Sequence, residues 1–190
     1  MIRAGANDHD QPTNFVAEGY KSLQKGETYV VVPNEVTDVV SSNEDLDAAI
    51  SNTEGEATIA LGNNAEISLK SGAANGKSND FTFIGDGTST FDVISDAVTA
   101  EGGELNYQRG STFTFQNLTI KAGEGNFDGI VCDELTYYNC TITGKLALYG
   151  KATFINCTFE NDMANQYSIW TWGGTEVKFE GCTFNTNGKA

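Results

Sequence analysis

Few residues in this chain have the types and spacing that chemistry requires. The single histidine, His9, sits in Asn7-Asp8-His9-Asp10 near the start. That segment and Asp86-Gly87-Thr88 offer oxygens to calcium, but neither has the spacing of a full binding loop, so no cofactor is expected. The cysteines, Cys132, Cys140, Cys157 and Cys182, contain no CxxC pair and stand far from His9, which speaks against zinc. Hydrolysis by two carboxylates needs a facing pair at a set separation. Asp128, Asp133 and Glu134 are the nearest candidates, but in a chain with 26 acidic residues such a group reads first as solvated surface.

Aromatic residues carry the stronger signal. Strand alternation places Tyr149, Trp170 and Trp172 outward on neighbouring strands of one face. Flat rings with a polar handle suit a glycan or a partner protein, unless a loop such as 160–166 or the N-terminal segment folds over them. The triplets Asn117-Leu118-Thr119, Asn139-Cys140-Thr141 and Asn156-Cys157-Thr158 match the glycosylation sequon. Their positions in the repeat described next make them structural, with the Asn side chains facing inward.

Those residues are positioned by a repeat. Segments 113–120, 135–142, 152–159 and 177–184 align without gaps as aromatic, any residue, Asn or Gly, Leu or Cys, Thr, apolar. The steps from Leu118 to Cys140, Cys157 and Cys182 are 22, 17 and 25 residues. A fixed motif with variable spacers marks a solenoid. A weaker copy begins at Phe81-Thr82-Phe83, with an inserted loop expected around 95–103. Phe115, Tyr137, Phe154 and Phe179 form one inward row. Leu118, Cys140, Cys157 and Cys182 form a second, and Ile120, Ile142, Phe159 and Phe184 a third, while the intervening Thr column points out. Asn117, Asn139 and Asn156 mark a sharp bend, because Asn tolerates left-handed geometry and its amide can bond the next Asn. Gly181 fits the same bend. A further strand per coil runs through 129–132, 145–149 and 168–172. Its inward residues are expected to be Ile130, Leu146 and Ile169, then Cys132, Leu148 and Thr171. Adjacent coils bring the stacked cysteines within reach of a disulfide, but their parallel Cβ directions oppose one, so buried, reduced thiols are expected.

Ahead of the repeats, residues 1–27 read as polar and irregular. Thr28-Tyr29-Val30-Val31-Val32 reads as a strand stopped by Pro33, and Val39-Val40 as another. Ser42 caps a short helix whose Leu46, Ala49 and Ile50 share one face. The division expected is an N-terminal segment, 1–37, and a repeat region, 38–190.

Together these features resemble the right-handed parallel β-helix of the pectate-lyase-like superfamily, over roughly 38–190. The resemblance implies an all-β, three-sided solenoid whose short helix caps its N-terminal end. Lyases of that superfamily need clustered acids for calcium and a basic residue as base. Here Arg109 alone of the arginines lies in the repeats, and no aligned outward acids flank it. The hydrolases need acids on successive coils and a histidine loop, and His9 lies outside the repeats. The short coils and Asn-Cys-Thr motifs are similar to the non-catalytic β-helices of bacterial surface proteins.

Composition sets the remaining bounds. The 190 residues carry a net charge of −15, which disfavours nucleic acid and anionic membranes. No apolar run approaches the ~18 residues of a membrane span. The N-terminus shows no signal peptide. The expectation is a non-enzymatic, adhesin-like binding or spacer module, extracellular or on a cell surface, that takes a glycan or a surface protein. The alternatives are a polysaccharide lyase or glycoside hydrolase, and a structural subunit of a larger assembly. After Phe184 the chain offers no cap, so the solenoid is expected to be truncated there or covered by another copy or partner.

Overall fold

A computed structural model describes residues 16–25, 28–70, 72–94, 106–123, 128–162, 167–172 and 175–186. The elements, in order, are β1 (Tyr20–Lys25), β2 (Thr28–Pro33), β3 (Asp38–Val40), α1 (Asn43–Asn52), β4 (Glu56–Leu61), β5 (Glu66–Ser68), β6 (Asp80–Ile84), β7 (Thr90–Asp92) and β8 (Asn106–Tyr107). They continue as β9 (Thr112–Gln116), β10 (Thr119–Lys121), β11 (Ile130–Tyr138), β12 (Thr141–Thr143), β13 (Leu146–Ile155), β14 (Thr158–Asn161), β15 (Ile169–Thr171), β16 (Val177–Glu180) and β17 (Thr183–Thr186). The protein is thus mostly β, with parallel sheets and, among the described residues, one helix. That helix is too short and polar to cross a membrane.

The repeat alignment is the strand register. Phe83 pairs with Phe115, Phe115 with Tyr137, Tyr137 with Phe154, and Phe154 with Phe179, all in parallel. A second parallel sheet, ordered β17-β14-β12-β10-β7-β5, pairs Phe91 with Ile120, Ile120 with Ile142, Ile142 with Phe159, and Phe159 with Phe184. Parallel pairing without offset puts like residues on top of one another. The rings stack at 5.4 Å for Phe83–Phe115, 5.3 Å for Phe115–Tyr137 and 4.6 Å for Tyr137–Phe154. Each such pair contributes about 0.5–1.5 kcal/mol beyond its area burial.

Between the two sheets the backbone turns through left-handed residues. Asn117, Asn139 and Asn156 have φ of 56°, 49° and 53°, and Gly181 has 64°. These are the side chains that accept such geometry at least cost. The Asn139 amide donates to Asn117 Oδ1 at 3.3 Å, as the bend column requires. The three Asn side chains are nevertheless exposed rather than inward-facing. The corner residue lies on the outside of the bend, and the next residue, Leu118, Cys140 or Cys157, turns into the core.

Three further expectations need correction. Phe179 and Phe184 hold their places in the ring columns but are 42% and 38% exposed, and Cys182 is half-buried. They lie on the last described strands, which have a neighbour on one side only, and Thr171 is exposed for the same reason. The third-strand register holds between β13 and β15, where Leu146 pairs with Ile169 and Leu148 with Thr171, but is shifted by two between β11 and β13: Val131 pairs with Tyr149, so Ile130 lies level with Leu148 and not Leu146. A bulge between Val131 and Glu134 changes the offset by one residue, and the pairing resumes at Leu135–Ala152. Lastly, Tyr20–Lys25 is a strand, paired antiparallel with β2. The loop expected at 95–103 lies outside the described residues.

Ser42 caps α1 by accepting from the Asp45 N–H at 3.2 Å, and Asp45 accepts from the Ser41 N–H in return. That backbone bond, helped by Lys25 at 3.4 Å, holds the Asp45 carboxyl below its usual range. Leu46, Ala49 and Ile50 join the main core, while Val32, Val36 and Val39 pack a smaller cluster under the β1–β2 hairpin.

Tyr137 is fully buried, and its hydroxyl has no hydrogen-bond partner among the described residues. An unsatisfied buried hydroxyl costs about 1–3 kcal/mol. Tyr137→Phe is therefore expected to keep or raise the melting temperature. Tyr137→Ala, which empties the ring column, is expected to lose about 3–5 kcal/mol in denaturant titrations. The bend can be tested separately at Asn139. Asn139→Gly should be nearly neutral, while Asn139→Val should cost about 1–3 kcal/mol, because a β-branched residue resists positive φ.

Candidate functional site

The third-strand face gathers the aromatic residues. Val131 pairs with Tyr107 on one side and Tyr149 on the other, and Trp172 donates its backbone N–H to Leu148 O at 3.3 Å. Tyr107, Val131, Tyr149 and Trp172 therefore follow one another along a column that crosses the strands. Trp170, two residues before Trp172, is level with Ala147. Trp170 and Trp172 are 39% and 41% exposed, whereas Tyr149 is half-buried.

The rings do not lie side by side as a flat plate. Tyr149 and Trp172 stack with centroids 5.9 Å apart and planes 17° apart. Their facing surfaces are spent on each other, so a ligand meets ring edges and the outer face of Trp172. The Lys145 ammonium lies 6.0 Å over the Trp170 ring, and the Arg109 guanidinium lies 5.0 Å over Tyr107. The Arg109 contact, at an exposed site, is worth about 0.5–1 kcal/mol.

Beneath the rings lies a buried polar layer. Asp128 and Lys145 are each only 4% exposed. Asp128 Oδ2 accepts from the Gly123 N–H at 2.9 Å, and Gly123 O accepts from the Lys145 N–H at 2.9 Å, so one glycine ties both residues together. Ser168 passes its carbonyl to the Leu146 N–H, and its hydroxyl is buried without a partner among the described residues. Gly129 is required here, because a Cβ would collide with Ala147 O. The Tyr149 phenol is pushed up to about 12, mainly by burial, against an opposing pull from Trp172, with smaller upward contributions from Asp128 and Tyr107.

The candidate catalytic carboxylates do not converge. Asp128 is held in the layer just described. Asp133 Oδ1 accepts from the Gly110 N–H at 3.0 Å, and Glu134 pairs with Lys151 at 3.0 Å. At the other expected oxygen site, Asp86 Oδ1 closes its own turn, accepting from the Thr88 N–H at 2.9 Å and the Thr88 hydroxyl at 2.7 Å. These bonds hold its carboxyl below the usual range. Asn7–Asp10 lies outside the described residues, as does 163–166 of the loop expected to cover the rings. Among the described residues, no group of three or more His, Cys, Asp or Glu is arranged to hold a metal ion.

Sequence reasoning missed Lys145 and the supporting role of Asp128. It also missed a polar groove of about 680 Å³ on a different face, lined by Thr143, Gly144, Glu160, Asn161, Asp162, Asn185 and Thr186. The signal for that groove was in the register, since Thr143, Glu160 and Asn185 occupy one outward column. No protein-family model matches the chain, and no curated protein or solved structure matches it either.

Tyr149 yields a pH prediction. Its pKa is raised in the fold, so the unfolded chain loses that proton first. Stability from this group is complete below an ordinary tyrosine pKa of about 10 and falls as pH rises from there through about 12. Denaturation midpoints measured between those pH values should decline, and Tyr149→Phe should flatten the decline.

Proposed function

We propose that this chain is a right-handed, three-sided parallel β-helix of the pectate-lyase-like kind, acting as a non-enzymatic binding module at a cell surface or outside the cell. The in-register parallel pairing of successive repeats and the left-handed Asn column support the solenoid reading. The observation that carries the binding reading is the pair Trp170 and Trp172, each about two-fifths exposed on one strand beside half-buried Tyr149. Large rings kept at the surface over a rigid, polar-backed layer favour a glycan or a surface protein as ligand.

A second reading, a subunit of an assembly, is favoured by a different observation. Phe179 and Phe184 are exposed on the outermost described strands, β16 and β17, whose outer edges have no partner among the described residues. Exposed rings beside open strand edges are the usual ingredients of edge-to-edge association.

A panel of oligosaccharides tests the first reading, with W170A/W172A as the paired variant. Binding without new reducing or unsaturated ends, lost in the variant at an unchanged melting temperature, is the expected result. Release of cleaved product would replace the module with an enzyme. A variant that loses stability but leaves the binding profile intact would make the rings structural.

A further inference from the structure

The core contains a row of thiols that the binding reading does not use. Ile155 is paired with Tyr138 and Glu180, and Thr158 with Thr141 and Thr183. These flanking pairs place Cys140 level with Cys157, and Cys157 level with Cys182. Each sulfur lies against the carbonyl of the aromatic residue one repeat earlier: Cys140 on Phe115 O at 3.4 Å, Cys157 on Tyr137 O at 3.4 Å and Cys182 on Phe154 O at 3.5 Å. Leu118 occupies the next position and ends the row on its buried side.

We propose that Cys157 and Cys182 form a thiol–disulfide switch that fastens the β16–β17 repeat to the one before it. Access decides the order of events. Cys140 and Cys157 are buried and Cys182 is half-buried, so a small disulfide such as oxidised glutathione meets Cys182 first. The Cys182 thiolate attacks one glutathione sulfur, the glutathione S–S bond breaks, and one glutathione thiol leaves with a proton. Cys157 then attacks the Cys182 sulfur of the mixed disulfide and expels the second glutathione. In balance, two protein thiols give up two electrons and two protons, and one oxidised glutathione becomes two reduced ones.

The geometry suits the second step. In-register neighbours on parallel strands have Cα atoms ~4.8 Å apart, inside the ~4.4–6.8 Å range of natural bridges. In the reduced chain each S–H lies against a carbonyl oxygen, so forming the bridge needs a rotation about the Cα–Cβ bonds that turns the two sulfurs toward each other.

The test uses the full chain, folded and reduced, incubated with oxidised glutathione in the absence of oxygen. The expected product is lighter by two hydrogen atoms, releases two glutathiones, and maps to a Cys157–Cys182 link, with Cys140 still open to alkylation after unfolding. Trypsin cleavage after Lys178 should slow several-fold in the oxidised chain. C182S should give no product, while C140S should still form the link. A lasting glutathione adduct on Cys182, a Cys140–Cys157 link, a link between chains, or no reaction would each overturn the proposal. So would a correct link that leaves cleavage at Lys178 unchanged. Mapping of the unmodified chain is decisive even if a variant folds poorly.

Discussion

A single backbone constraint, the left-handed residue between the two main sheets, fixes much of this structure. At Asn117, Asn139, Asn156 and Gly181 the chain changes direction within one residue. That fixes where Thr119, Thr141, Thr158 and Thr183 begin the next strand. If the corner moved by one residue, the ring columns and the thiol row would each turn over to the solvent face. The aromatic stacking is strong only because the corner delivers every ring at the same height.

The core and the candidate binding face are built on different principles. In the core, like residues stack and the gain is apolar burial with ring contact. On the third-strand face the stack is mixed, with Tyr107, Val131, Tyr149 and Trp172 in one column and charged groups packed beside or below them. Lys145 and Asp128 are buried in a chain of strongly negative net charge, and burying charge is costly unless it is satisfied locally. The Gly123 N–H serves the Asp128 carboxylate here, and the Trp170 ring serves the Lys145 ammonium.

Much of the fold was legible in the sequence because each repeat states its register twice, once in the aromatic position and once in the Asn-x-Thr corner. The third strand lacks such a corner, and its register between β11 and β13 was misread by two residues, while that between β13 and β15 was read correctly. The bulge after Val131, which no residue type announces, accounts for one of those two residues. The strand at Tyr20–Lys25 was missed because Lys21, Ser22, Gln24 and Lys25 mask its alternation. The exposed state of Phe179 and Phe184 was hidden because a motif describes a residue's own position and not whether a neighbour follows. Of the candidate site, Tyr149, Trp170 and Trp172 could be placed from alternation alone. Asp128 and Lys145 could not, since what joins them is the main chain of Gly123, and backbone contacts leave no mark on side-chain identity.

The unequal spacing between corners has a further consequence. Steps of 22, 17 and 25 residues deliver the chain to the same register, so the spacers store no information about alignment. Variation in their length is invisible to the ladder, and the cost of closing a longer spacer rises only by about 0.6 kcal/mol per doubling. The architecture therefore separates two evolutionary tasks. Substitution at the corners and columns disturbs the ladder, while the spacers can be lengthened, exchanged or grafted, so that novelty can be added at the rim of a scaffold whose interior does not have to be redesigned.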